Sequence, residues 1–308
     1  MKDIYNSFLN NIKDLDCSIL EKEPMAKHTT FKIGGLADLF ITVNTKKSLI
    51  EILKAIKLFK LSHHIIGNGS NLLISDEGLK YPIIKLGEEF KKIKILDETP
   101  KSVKIKCGSA VLNAEFCIFA KENFLSGAEF LYGIPGTIGG ALYMNAGAYL
   151  NEISNITLYS ECITKSFETL ILNRNQMNFS YRNSIYSKTK DIITSAIFEL
   201  KKSNKLEVEE KMDFLLKERK KSQPLNFPSA GSIFKKPKNN ISAGELIESC
   251  DLKDLTVGNA KVSTKHAGFI VNIGTATSKD VLKLINIIKE TVFKKTGIIL
   301  NTEIEYWC

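Results

Sequence analysis

Apolar residues at Ile4, Phe8, Ile12 and Leu15 recur at helical spacing and predict a short amphipathic helix at the start of the chain. A polar turn, His28-Thr29-Thr30-Phe31-Lys32-Ile33-Gly34-Gly35, leads into a strand expected over 37–43. Thr45 can then N-cap a helix to about residue 60, with Leu49, Ile52, Leu53, Ile56 and Phe59 as its buried stripe. A short strand at 64–66 stops at Gly67-Asn68-Gly69-Ser70-Asn71, and Leu72-Leu73-Ile74 resumes extended chain. Between 81 and 106 the apolar runs are short and strand-like, and 110–124 reads as a buried helix. Strands are expected near 156–160, 168–172 and 192–200. A charged amphipathic helix over 206–221, stopped by Pro224, marks a domain joint. Beyond it the pattern predicts a helix over 243–250, a strand over 269–272, a helix from 278 to about 295, and a last strand over 297–307. No internal repeat or low-complexity linker interrupts the series, so the fold class is α+β.

Composition narrows the class further. A chain of 308 residues has room for two domains or three small ones, and 44% apolar with 25% charged residues is ordinary for a globular protein in water. The net charge of +9 (43 basic, 34 acidic) comes from scattered lysines, with no Arg-rich arm or aromatic-basic repeat. That bias favours small anionic ligands over nucleic acid. The six cysteines form no C-x-x-C pair and no metal-type spacing, so reduced thiols and no bound metal are expected. Residues 1–17 lack the apolar core of a signal peptide. No run approaches the roughly 18 apolar residues a membrane helix needs. A cytoplasmic protein is expected.

Five of the nineteen glycines fall in the seventeen residues from Gly133 to Tyr149. Backbone this bare can approach a ligand closely and present N–H groups to it. With Ile134, Ile138 and Leu142 interleaved, the segment suits an apolar floor for a flat heteroaromatic cofactor carrying phosphates. By itself it is equally a glycine-rich loop with no ligand. The 67–71 loop is a second candidate phosphate cradle. It lacks the G-x-G-x-x-G fingerprint and opens into a strand instead of a helix, which disfavours an ordinary dinucleotide fold.

These segments, taken with others in the same order, resemble the UDP-N-acetylenolpyruvoylglucosamine reductase family of peptidoglycan synthesis. The matching motifs are the 28–35 turn, Gly67-Asn68-Gly69-Ser70-Asn71-Leu72-Leu73-Ile74, Gly133-Ile134-Pro135-Gly136-Thr137-Ile138-Gly139-Gly140 and Asn145-Ala146-Gly147-Ala148. They continue with Tyr181-Arg182-Asn183-Ser184, Pro228-Ser229-Ala230-Gly231-Ser232-Ile233-Phe234-Lys235, Ala243-Gly244-Glu245-Leu246-Ile247, Val262-Ser263-Thr264-Lys265-His266-Ala267 and Leu300-Asn301-Thr302-Glu303-Ile304. His28 and Lys236 stand where the family often has Asn, and Asn301 where Glu is common.

The resemblance implies a vanillyl-alcohol-oxidase-like, two-part FAD-binding fold followed by a C-terminal α+β substrate-binding domain. The expected division is 1–80 with 298–308, then 81–202, then 203–297. It implies noncovalent FAD, since His63 and His64 do not match the tethering pattern of related oxidases, and NADPH as hydride donor. Gly67, Asn68, Gly69, Ser70, Asn71 and Leu72 would cradle the pyrophosphate. Gly133, Ile134, Pro135, Gly136, Thr137, Gly140, Asn145, Ala146 and Gly147 would line the flavin. The implied reaction reduces UDP-N-acetylglucosamine enolpyruvate: hydride reaches C3 and a proton reaches C2. The partners are therefore small molecules, with a monomer expected and neither nucleic acid nor membrane.

Three residues take catalytic roles by position. Ser232 is the proton donor, where without the family context a serine after Gly231 is simply a turn residue. Arg182, one of few arginines in a lysine-rich chain, has the planar fork that binds a carboxylate bidentately. Glu303 is selected by its motif; strand alternation puts Glu303 and Glu305 on one face and cannot choose between them. Beside an anionic intermediate a carboxyl is useful only if protonated, so a raised pKa is expected for Glu303. Tyr181, Lys220, Lys235, Lys236 and His266 are the expected substrate contacts. The alternatives are another FAD-dependent oxidase or dehydrogenase of the same fold, and a noncatalytic anion- or nucleic-acid-binding module.

Overall fold

The computed structural model of the chain describes residues 2–237 and 241–308. Its contacts group the chain into two compact units, one formed by 1–20, 39–67 and 81–217, the other by 21–38, 68–80 and 218–308. Each is built from discontinuous stretches, and the boundary near 217 falls inside the helix Lys205–Ser222.

The first unit contains a large antiparallel sheet in the order Thr169–Asn173, Thr157–Ile163, Ile192–Lys202, Ser102–Gly108, Ile93–Glu98, with Leu125–Ser126 paired to the end of Ile192–Lys202. The helix Asn113–Glu122 packs with it in a core that includes Ile105, Phe116, Ile138, Leu142, Tyr186 and Phe198. A four-stranded sheet runs in the order Cys17–Pro24, Leu36–Val43, Leu79–Leu86, His64–Ile66. Beside it the helix Lys46–Leu58 buries Leu49, Ile52, Leu53 and Ile56 with Phe8 and Ile12 of the opening helix Lys2–Ile12. The Thr45 hydroxyl accepts from the Ser48 N–H at 3.2 Å, so the expected cap is present.

The second unit is a four-stranded antiparallel sheet, Ser229–Ser232, Phe269–Asn272, Ala260–Val262, Thr256–Val257, with the helices Ala243–Ser249 and Ser278–Thr296. Val281, Leu284, Ile285, Ile288 and Val292 form the buried stripe of the long helix. The helix is capped by the Thr277 hydroxyl on the Asp280 N–H, and Gly297 ends it at φ 71°.

Three elements depart from the sequence pattern. The helix expected over 110–124 starts at Asn113, because the backbone before it is already paired to the glycine segment: Ile138 N–H donates to Val111 O at 2.9 Å and Gly139 N–H to Ser109 O at 2.8 Å. The second half of the glycine segment is itself a helix, Ile138–Met144, with the Thr137 hydroxyl as its cap. The strand expected over 297–307 is broken. Gly297 belongs to the preceding helix cap, Thr302 makes one isolated bridge to Phe234, the chain bends at Ile304, and only Glu305–Trp307 is a strand, parallel to Leu72–Ile74. The chain changes partner at Ile304, so no single ladder holds both sides of it.

Candidate active site

In the first unit the two glycine motifs meet. A Cβ at Gly67 would lie 2.6 Å from the Thr137 hydroxyl, so no side chain fits between the end of the His64–Ile66 strand and the glycine segment. The segment is held from beneath by Asn113, which is buried and donates from its backbone to Gly136 O at 3.0 Å and from its amide to Ile134 O at 3.1 Å. Ser109 Oγ and Asn113 Oδ1, both buried next to this backbone, have no hydrogen-bond partner among the described residues. Sequence reasoning missed both residues; nothing in the local pattern distinguishes them from ordinary helix-entry positions.

Asn145, expected against the flavin, closes the helix Ile138–Met144 in the left-handed region at φ 46°, and its buried side chain bonds to Glu152, Ser180 O and the Ser154 N–H. Further along, Ser180 and Asn183 exchange both backbone hydrogen bonds, at 3.0 and 3.1 Å, and so make Tyr181 and Arg182 a two-residue turn. Arg182 takes φ 51°, its guanidinium donates to Gly147 O at 3.2 Å, and it lies over the Tyr181 ring at 5.0 Å. The structure thus brings Arg182 to the end of the glycine-rich 133–149 stretch, and Tyr181 to Arg182.

In the second unit four separated motifs come together. Gly69, at φ 60°, packs so closely on His28 that a Cβ would sit 2.1 Å from the His28 carbonyl, and only glycine meets both conditions. The neighbouring Thr30 hydroxyl donates to Ser229 O at 2.7 Å, which ties this loop to the strand carrying Ser232. Asn71 donates its amide to Glu303 O at 3.1 Å, and the Glu303 N–H donates to Ile233 O at 2.8 Å. Ser232 and Glu303 therefore lie on adjoining stretches of backbone. Gly231, at φ 78°, sits at a register irregularity in the Ser229–Ser232 strand, between the pairs Ser229 with Val271 and Ser232 with Phe269. Such an irregularity re-aims the side chain that follows it. The Ser232 hydroxyl makes a long 3.4 Å contact to Phe234 O.

Gly268 was not anticipated, although Ala267-Gly268 directly follows the His266 motif. A Cβ there would come 2.9 Å from the His266 ring and 3.3 Å from Ser232 Oγ, so the bare backbone makes room for both. His266 Nδ1 accepts from the Gly268 N–H at 3.1 Å, which puts the proton of the neutral ring on Nε2. Burial, the dominant cause, and the charge of Lys253 hold the ring below the ordinary histidine value of 6.5, against the opposing pull of its backbone hydrogen bond and Glu248. The unfolded chain therefore binds this proton first as pH falls, and stability is lost as pH drops below the ordinary value of 6.5 and through the lower folded-state value. His266→Gln should flatten the acid limb of a Tm-versus-pH curve; an unchanged limb would show that another group sets it. Among the lysines, Lys235 is anchored by its N–H to Asn301 O at 2.8 Å, Lys220 O accepts from the Lys265 ammonium at 2.5 Å, and Lys236 is exposed. Among the described residues no group of His, Cys, Asp or Glu could hold a metal ion, and no helix is long and apolar enough to cross a membrane.

These features fit FAD: backbone bare of side chains at Gly67 and Gly69, and buried polar atoms without partners beside the glycine segment. Residues 37–171 match the family described as FAD binding domain, and 223–307 match the UDP-N-acetylenolpyruvoylglucosamine reductase C-terminal domain. The chain is 43% identical to the UDP-N-acetylenolpyruvoylglucosamine reductase of Pseudothermotoga lettingae, over 94% of this chain and 98% of that protein. It belongs to the UDP-N-acetylenolpyruvoylglucosamine reductase family. The reductase of the same name from Clostridioides difficile is 41% identical over 99% of this chain and 97% of its own length. The crystal structure of the Thermus caldophilus reductase superposes with a TM-score of 0.81 at 32% identity, covering 95% of this chain and 99% of that one. The chain is thus an FAD-dependent oxidoreductase of the reductase family. Both glycine motifs lie in the FAD-binding match, and Ser232, Lys235, Lys236, His266 and Glu303 lie in the reductase C-terminal match. Tyr181, Arg182 and Lys220 fall outside both.

Proposed function

We infer that this reductase converts UDP-N-acetylglucosamine enolpyruvate to UDP-N-acetylmuramate at the expense of NADPH, with Ser232, Arg182 and Glu303 as its catalytic groups. The observation that supports this most is the meeting of the Ser232 and Glu303 backbones, through Glu303 N–H to Ile233 O, in a chain whose full-length relatives carry that name. FAD, when bound, supplies the relay that carries hydride from NADPH to C3 of the enolpyruvyl group. Gly67, Asn68, Gly69, Ser70, Asn71 and Leu72 would hold its pyrophosphate, and Gly133, Ile134, Pro135, Gly136, Thr137, Gly140, Ala146 and Gly147 its ring system. Ser232 gives its hydroxyl proton to C2. A hydroxyl is a weak acid against water, but the carbon it faces has become enolate-like and basic enough to take the proton. Arg182 binds the substrate carboxylate through its planar fork and offsets the charge that gathers there. Glu303, held protonated, offsets charge on the anionic intermediate. Tyr181, Lys220, Lys235, Lys236 and His266 contact the substrate, the lysines at its diphosphate. We assign the protein to the cytoplasm as a monomer. We divide it into 1–80 with 298–308, 81–202 and 203–297; three apolar cores follow these stretches in part, with Ile84, Leu86, Phe90, Ile163 and Ile192 packing in the core of the first, Val208 and Met212 in that of the second, and Phe31, Ile33, Leu73, Leu300 and Ile304 in that of the last.

The test is spectroscopic. The purified protein should be yellow, bleach with NADPH, regain colour with the enolpyruvyl nucleotide far faster than with oxygen, and release unmodified FAD on heating. Flavin that stays on the denatured polypeptide would overturn noncovalent binding. Fast reoxidation by oxygen alone would favour an oxidase.

A further inference from the structure

Asn145 occupies the junction of three segments in the first unit. Its side chain is fully buried. The amide nitrogen donates to Ser180 O at 3.1 Å and to Glu152 Oε2 at 2.7 Å, and Oδ1 accepts from the Ser154 N–H at 3.3 Å. Two acceptors on one side and a donor on the other fix which atom is nitrogen. Both amide hydrogens are used, so this side chain has no donor left for a cofactor. The bond to Ser180 O lands on the first residue of the Ser180–Asn183 turn that presents Arg182. A second tether lies beside it, the Ser184 hydroxyl donating to Tyr143 O at 2.7 Å. The Arg182 guanidinium returns to Gly147 O, and Gly147 pairs with Glu152, the other partner of Asn145.

We propose that Asn145 is a positioning residue for Arg182, fastening the Tyr181–Arg182 turn to the end of the Ile138–Met144 helix. The inference rests on the assignment of Arg182 to the substrate carboxylate. Arg182 holds a left-handed backbone that a residue with a Cβ adopts at a cost, so the turn needs outside restraint to keep it. Asn145 itself is left-handed, a conformation that Asn and Gly tolerate better than other residues. The position therefore asks for two properties, backbone tolerance and a two-donor amide, and only Asn supplies both.

The variants Asn145→Gly, Asn145→Asp and Ser184→Ala separate the possibilities. Asn145→Gly keeps the backbone and removes the amide; Asn145→Asp keeps the shape and sets a carboxylate oxygen against Glu152 and Ser180 O. Each holoenzyme is measured for FAD affinity by flavin fluorescence, for bleaching by NADPH, and for reoxidation over a range of enolpyruvyl nucleotide concentrations. Both Asn145 variants should keep FAD affinity and the NADPH step, while substrate-dependent reoxidation loses about tenfold to a hundredfold in kcat/KM, the scale of an ångström-level misplacement. Arg182→Ala should abolish most of the sensitivity to Asn145→Gly in the double variant, since the amide acts through Arg182. Ser184→Ala should show the same defect in smaller measure, and carries the test if the Asn145 variants do not fold. Lost FAD affinity in Asn145→Gly, or additive losses in the double variant, would overturn the proposal. A silent Arg182→Ala would instead overturn the role of Arg182 on which it rests.

Discussion

Ser232→Ala is expected to bind FAD, to be bleached by NADPH at close to the parental rate, and to stall when the enolpyruvyl nucleotide is added. Reoxidation should slow by roughly a hundredfold to ten-thousandfold, the usual worth of a positioned general acid. The expectation separates two half-reactions because Ser232 is proposed to act only where C2 needs a proton. Its local structure suits that role: Gly231 at φ 78° and the register irregularity set the side chain, and the 3.4 Å contact to Phe234 O is too long to restrain the hydroxyl strongly. Ser232→Cys should recover part of the rate, since a thiol is the stronger acid at a pKa of about 8.5. Stopped-flow absorbance of the flavin band reads both phases. If Ser232→Ala reoxidises at the parental rate, Ser232 is a turn residue and the proton comes from elsewhere.

The second large effect concerns two carboxylates two positions apart. Glu303→Gln should depress the substrate half-reaction by about a hundredfold, as the loss of one well-placed group around developing charge does, while Glu305→Gln should be nearly silent. The backbone supports this ranking. Glu303 is bound to Ile233, next to Ser232, and its carbonyl accepts from Asn71. Glu305 lies beyond the bend, in the strand paired to Leu72–Ile74, and Trp307 Nε1 donates to its carboxylate at 3.4 Å. Equal losses in the two variants, or the reverse order, would place the acidic group of the reaction at Glu305.

That bend also shows where reading the chain alone falls short. Alternation makes Glu303 and Glu305 equivalent, and it fails because the premise of one continuous strand fails at Ile304. The motif could still select Glu303, since a motif records position and not geometry. The lysines proposed to contact substrate were less legible: a lysine in a basic chain carries little pattern, and the tie of the Lys235 backbone to Asn301 leaves no mark in the sequence.

What the chain encodes locally was readable without coordinates. The helices Lys46–Leu58 and Ser278–Thr296 appear where the chain pattern puts them, the first with its expected Thr45 cap and apolar stripe, because a cap and an apolar stripe act within a few turns of backbone. The glycine motifs at 67–71 and 133–140 likewise mark places where backbone must come close to something, whatever that is. The tertiary structure alone decided what they approach and which residues they recruit: Gly67 against Thr137, Gly69 against His28, Asn71 against Glu303, and Asn145 fastening the Arg182 turn. Each of these is a contact between segments distant in sequence, made by short polar side chains or by backbone, and hydrogen bonds of that kind leave no periodicity along the chain that could announce them.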